Sequence, residues 1–297
     1  MSDGRRVAIV VPVEEELAPY RTLVSGFRTV PACRPWEAYE GTLGETRVAL
    51  ILSDCGPANA AAATERVLGG FSPGLVLHGG AAGAHDPALL PGDVVVGARY
   101  SILFPPEAQQ RVEEDGKLVF RKGFRFRKNG ARVHFPVART TPALLKLAVR
   151  SARRLAPGFG TWTAPGWPAG VAPRRARVVA GLVGSTDAWT RDAARLAALS
   201  ALYRARCEDM ESAWVAQVCA LHDVPFLAVR VISNADAARP LAEEEVAASL
   251  AEAGRRAAAV LADVARDAPL RGSGSPGESG RGDRGDESRG HEGWGQA

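Results

Sequence analysis

Glu208-Asp209-Met210-Glu211-Ser212 is followed, about twenty residues on, by Val229-Arg230-Val231-Ile232-Ser233-Asn234. The first stretch sets three acids at the start of an Ala-rich, apolar helix. The second is an apolar strand that carries one arginine near its end and finishes in a polar loop. Strand and helix signals alternate in the same way along most of the chain. Apolar runs at 7–13, 48–52, 75–78, 94–97, 178–182 and 226–232 read as strands. Runs that are apolar on both faces suit the interior of a sheet covered by helices. The stretches 58–68, 142–155, 191–204, 212–222 and 242–264 read as helices. The pattern predicts an α/β fold: one domain over 5–266, with a mixed, mostly parallel central sheet between two helical layers.

Composition narrows the class. The chain has 297 residues, is 46% hydrophobic and carries a formal charge of +4, enough for a sizeable core and too mild for a general polyanion binder. No apolar run reaches the ~18–20 residues of a membrane span. The apolar run after Arg5-Arg6 is short and meets Glu14-Glu15-Glu16, so it reads as a first strand and not as a signal segment. Cys33, Cys55, Cys207 and Cys219 form no CxxC pair and have no histidine at ligand spacing. Reduced thiols in a cytoplasmic protein without a metal are expected. Residues 101–175 read as an irregular elaboration. Within it, 121–132 interleaves basic residues with aromatics around Asn129-Gly130, a hairpin signal. Residues 269–297, rich in Gly, Ser and charge, read as disordered.

Ligands of such sheets sit beyond the carboxyl ends of the strands. Four segments there carry chemistry, each with a plainer structural reading beside it. Glu14-Glu15-Glu16 crowds three carboxylates, which raises the pKa of one and suits a base, or it opens a helix. Gly79-Gly80-Ala81-Ala82-Gly83-Ala84 lets backbone approach a ligand, or makes a tight strand-to-helix turn; it does not meet the dinucleotide GxGxxG pattern. Ser185-Thr186-Asp187-Ala188-Trp189 offers an indole to stack on a flat heterocycle, or to anchor a turn. Glu211 can grip a vicinal diol, or pair structurally with Arg230.

Together with Ser53-Asp54-Cys55-Gly56-Pro57-Ala58-Asn59 and Pro91-Gly92-Asp93-Val94-Val95-Val96, these segments resemble the nucleoside phosphorylase superfamily, closest to the methylthioadenosine/S-adenosylhomocysteine nucleosidases. The resemblance covers roughly 5–100 and 178–265. It implies water attack on the N-glycosidic bond of a 5′-substituted purine nucleoside, without a cofactor. Glu16 takes the place of the residue that activates water, Glu211 of the ribose grip, and Arg230 of the arginine that holds both. Met210 would pack on the sugar and Trp189 on the base, with Cys55, Gly80 and Ala81 lining the site. Glu208 and Asp209 read as secondary.

Two positions depart from the nucleosidases. Ala81 stands where they have Ser or Thr, and Asn234 where they have the Asp that protonates the leaving adenine. The base is then a 6-oxopurine, or Asp236 substitutes, or the activity is weak. A phosphorylase, with His78 where the hexameric phosphorylases have an arginine, is the second reading. A non-catalytic nucleoside-binding protein is the third. The resemblance also implies a homodimer, with neither nucleic acid nor membrane as partner. The basic stretch 121–132 is expected to approach an acidic 5′ group.

Overall fold

The computed structural model describes residues 5–104, 111–114, 117–120, 124–135 and 137–268. The expected tail at 269–297 lies outside them, as do Arg121 and Lys122 of the basic stretch. The first half runs β1 (Arg6–Val11), α1 (Glu14–Leu17), α2 (Tyr20–Leu23), β2 (Ser25–Thr29), β3 (Ala38–Leu43), β4 (Thr46–Leu52), α3 (Pro57–Phe71), β5 (Leu75–Ala84) and β6 (Val94–Ile102). Then come the short strands β7 (Arg111–Glu114), β8 (Lys117–Phe120), β9 (Phe124–Lys128), β10 (Ala131–Phe135) and β11 (Ala138–Arg139). The chain closes with α4 (Pro142–Leu155), β12 (Val178–Ser185), α5 (Ala193–Tyr203), β13 (Cys207–Asp209), α6 (Ser212–Leu221), β14 (Phe226–Asn234) and α7 (Val246–Asp267).

Ten strands form one mixed sheet in the order β11-β6-β12-β13-β5-β1-β4-β3-β2, with β14 pairing β5 and β6. β4, β1, β5 and β14 run parallel, as do β6, β12 and β13, and the two blocks meet antiparallel. Side chains alternate across a strand. In β1, Val7, Ile9 and Val11 therefore pack towards α4 and α7, while Ala8 and Val10 pack towards α3 and α6. Helices thus cover both faces, as the apolar runs require.

Three readings are corrected. The stretch 79–84 is neither loop nor turn: β5 continues through it, because β14 pairs along Gly79–Gly83 and β13 along Gly83–Ala84. Its small residues serve close packing. A Cβ on Gly79 would lie 2.4 Å from Leu261 of α7. Glu208 and Asp209 stand in β13 and not at the helix start, while α6 begins at Ser212 as its apolar stretch predicts. Asn234 ends β14 rather than a polar loop, and the register with β5 slips between Ile232 and Asn234. A bulge of this kind re-aims side chains beside a site.

The hairpin expected at Asn129-Gly130 is present as β9 and β10. It rests on the C-terminal end of α6, where Lys128 Nζ reaches Ala220 O (3.1 Å) and Asp223 (2.6 Å). The segment before β12 that holds Trp162, Trp167 and Arg174 is pinned to the sheet by Asp93, whose carboxylate accepts from both terminal guanidinium nitrogens of Arg174 at 2.6 Å.

Candidate active site

A single cavity opens where β1, β5, β13 and β14 end and α1 and α7 begin. Glu16, Cys55, Ala81, Trp189, Met210, Glu211, Arg230, Asn234 and Asp236 all line it. These residues are up to 220 positions apart along the chain, and the sheet brings them together. Gly80 is the exception. It lies buried behind the Glu16 carboxyl, where a Cβ would sit 2.4 Å from Oε1. It makes room for Glu16 and does not line the cavity.

The buried groups form one network around Arg230. Its Nε is 2.7 Å from Asp209 Oδ2, and its Nη2 is 3.5 Å from Glu211 Oε2. Nη2 also donates to His78 Nε2, and His78 Nδ1 donates to Val10 O at 2.8 Å. Burial, then the adjacent guanidinium, push His78 down to about 3, so it is the neutral acceptor. Burial raises Asp209, but Arg230 and the Ser185 hydroxyl outweigh it and hold the carboxylate below its ordinary range. Asp209 Oδ1 also accepts from Ser185 Oγ and from the backbone N–H groups of Glu211 and Ser212 (3.1 and 3.0 Å). The same carboxylate therefore neutralises Arg230 and satisfies the first N–H of α6, that of Ser212.

Two carboxyls face the cavity with raised pKa values. Burial pushes Glu16 up to about 8, against the pull of Arg230 and of the Ala81 N–H, which donates to Oε1 at 2.6 Å. Glu16 Oε2 is buried and makes no hydrogen bond. Burial pushes Glu211 up to about 7, opposed by Arg230 and by N–H groups of Gly56 (3.1 Å) and Met210 (3.3 Å). His78, Asp209 and Glu211 place potential metal-ligand atoms within 4.8 Å of one another. The cation among them is already the guanidinium of Arg230.

Also lining the cavity, Ser233 Oγ donates to Asn234 Oδ1 (2.7 Å), and Asn234 Nδ2 donates to Asp236 Oδ2 (2.6 Å). Trp189 Nε1 donates to the same oxygen at 2.6 Å. Trp189 is 36% exposed, with Arg191 stacked 4.9 Å from its ring centre.

The sequence profile of the phosphorylase superfamily matches residues 6–266, nearly all of the described chain. The chain belongs to the phosphorylase superfamily. It is 27% identical over 230 residues to a 5′-methylthioadenosine/S-adenosylhomocysteine nucleosidase of Anoxybacillus flavithermus, covering 77% of this chain and 84% of that one. It is 28% identical over 256 residues to the enzyme of the same name from Treponema pallidum, covering 85% and 88%. Among solved structures, the nucleosidase of that name from Neisseria meningitidis superposes with a TM-score of 0.66 at 23% identity, covering 88% of this chain and 98% of that one. Futalosine hydrolase of Helicobacter pylori superposes at 0.67 and 18% identity, covering 88% and 97%. At those identities the structures establish the fold.

Sequence reading missed several lining residues of this superfamily member. Glu208 accepts from Thr190 N (3.0 Å), Thr190 Oγ1 (3.1 Å) and His85 Nε2 (3.0 Å), and all three residues line the cavity. Asp209 had one usable signal: a lone arginine in an apolar strand needs a buried counter-ion. His85 and Thr190 had none. The basic hairpin contributes no lining residue among those described. Glu211 stands at the N-terminal end of α6 and the hairpin at its C-terminal end. Ten helical residues separate them by about 15 Å, and Arg121 and Lys122 lie outside the described residues.

Proposed function

We propose that this chain is a purine nucleosidase, hydrolysing the N-glycosidic bond of a 5′-substituted purine nucleoside. The observation that carries the proposal is that Glu16 and Glu211 line one cavity together with Arg230, each carboxyl with a raised pKa. In the reaction positive charge grows on the ribose and negative charge on the base. A carboxyl with a pKa near 8 ionises close to working pH, and its unpartnered Oε2 can take a proton from water. Glu211 accepts from the ribose hydroxyls. Arg230, held by Asp209, keeps both carboxyls in register and limits their mutual repulsion. Met210 packs on the sugar and Trp189 on the base. Ala81 lends its backbone N–H to Glu16 and needs no hydroxyl for that.

Water is favoured over phosphate as the nucleophile. Arg230 is the sole Lys or Arg lining the cavity among the described residues, and it is engaged with two carboxylates. His78, the residue at the phosphorylase arginine position, is buried, neutral and fully bonded. The relatives that share the name 5′-methylthioadenosine/S-adenosylhomocysteine nucleosidase support the same substrate class.

Cytoplasmic location and a homodimeric state belong to the same reading. Support for the first is that Cys33, Cys207 and Cys219 are buried free thiols. The second rests on the family resemblance, and light scattering of the purified chain tests it. The activity itself is tested by base release from 5′-methylthioadenosine, adenosine and inosine, with and without phosphate. Release that needs phosphate would favour a phosphorylase. No release under either condition would leave a binding protein.

A further inference from the structure

Bond cleavage leaves an electron pair on the departing base, and a neutral leaving base needs a proton. Among the described residues five carboxyls line the cavity: Glu16, Glu208, Asp209, Glu211 and Asp236. Asp209 is ionised on Arg230. Glu208 already accepts three hydrogen bonds. Glu16 and Glu211 belong to the sugar side. Asp236 remains, beside Asn234, which has an amide and no proton to give near neutral pH. Asp236 is 6% exposed. Its Oδ2 accepts from both Asn234 and Trp189, while its Oδ1 is buried and makes no hydrogen bond.

Resting on the nucleosidase reading above, we propose that Asp236 is the acid that protonates the leaving base, and that Asn234 is a positioning residue that holds it. Two N–H donors on Oδ2 leave Oδ1 as the oxygen that carries the proton. Burial raises the Asp236 pKa, against the Trp189 and Asn234 N–H groups on Oδ2, the nearby Leu241 N–H and the charge of Arg191. The C1′–N bond breaks and its electron pair goes to the base. The Asp236 proton passes to a base nitrogen, water bonds C1′, and the proton lost by water goes to Glu16. Exchange with solvent returns both carboxyls to their starting states. An aspartate at 234 would set two carboxyls at hydrogen-bond distance. An amide there orients the acid without competing for its proton.

The test compares two leaving groups in wild type and Asp236→Asn. Purines need the proton; the 4-nitrophenolate of 4-nitrophenyl β-D-riboside does not. The variant is expected to lose ~10²–10⁴-fold in kcat on the nucleoside and to stay within a few-fold of wild type on the nitrophenyl riboside. Its pH profile should also lose the limb on which activity falls as the acid ionises. Retained nucleoside turnover, or equal loss on both substrates, overturns the assignment of Asp236 alone. Wild-type protein that releases no base from any nucleoside overturns the nucleosidase reading, and this assignment with it.

Discussion

Arg230 and Asp209 form an ion pair in which each side chain is 1% exposed, with Nε 2.7 Å from Oδ2. Breaking such a pair from one side leaves an uncompensated buried charge, which costs about 3–5 kcal/mol. Arg230→Met and Asp209→Asn should each lower the melting temperature markedly. Because the two lose the same interaction, the double variant should lose less than the sum. Additive losses in thermal melts would contradict the pairing.

Glu16 links stability to pH in a definite direction. The unfolded chain ionises this group near 4.5, the folded chain at about 8. Between these values the folded state holds a proton that the unfolded state has released, so stability falls as pH rises, by about 1.4 kcal/mol per unit for this group. The contribution is fully present below 4.5 and lost above 8. Glu16→Gln escapes the loss. Its melting temperature should gain on wild type steadily from pH 5 to pH 8, while its activity disappears. A constant difference across that range would mean that Glu16 is ionised throughout.

Glu211→Gln keeps the shape of the side chain and removes its charge. A hydrogen bond to a charged group is worth roughly 1.5–3 kcal/mol, so kcat/KM should fall about 10- to 150-fold. Steady-state kinetics on the substrate found by base release measure this, and unchanged kcat/KM would remove Glu211 from the site.

Gly254 of α7 meets Glu16 from behind. A Cβ there would lie 2.7 Å from Glu16 Cα. Ala gains up to ~1 kcal/mol over Gly in a helix, but forced overpacking costs about 1–3 kcal/mol. Gly254→Ala should therefore displace Glu16 and cut kcat at least roughly tenfold, the scale of a misplaced catalytic group. Gly69 of α3 is the control, with open space where its Cβ would be. Gly69→Ala should stabilise the fold and leave turnover unchanged.

Arg125 and Arg127 are exposed on β9, away from the cavity. Replacing both with Ala should leave KM unchanged for neutral and acidic substrates alike. A KM that rises for the acidic substrate alone would bring the hairpin back to the site.

How much of this was legible depends on the kind of information each residue carries. The apolar runs announced the sheet, because burial on both faces demands apolar residues on both. The short edge strand β2 escaped notice, since Ser25–Thr29 is largely exposed and mixed in character. Glycine in 79–84 suggested a loop; its reason was Leu261 and Glu16 pressing from α7 and α1.

By itself the sequence determined an α/β fold and set Glu16, Glu211, Arg230 and Asn234 at strand and helix ends in a recognisable order. Only the tertiary structure decided what those groups are. It made Asp209 the counter-ion of Arg230, removed Gly80 from the lining, raised the pKa of Glu16 and joined Asn234 to Asp236. The physical reason is that residue type and periodicity are local, whereas burial and partnership are not. A carboxyl's proton depends on the water excluded from it and the charges beside it, and here those come from segments far apart in the chain.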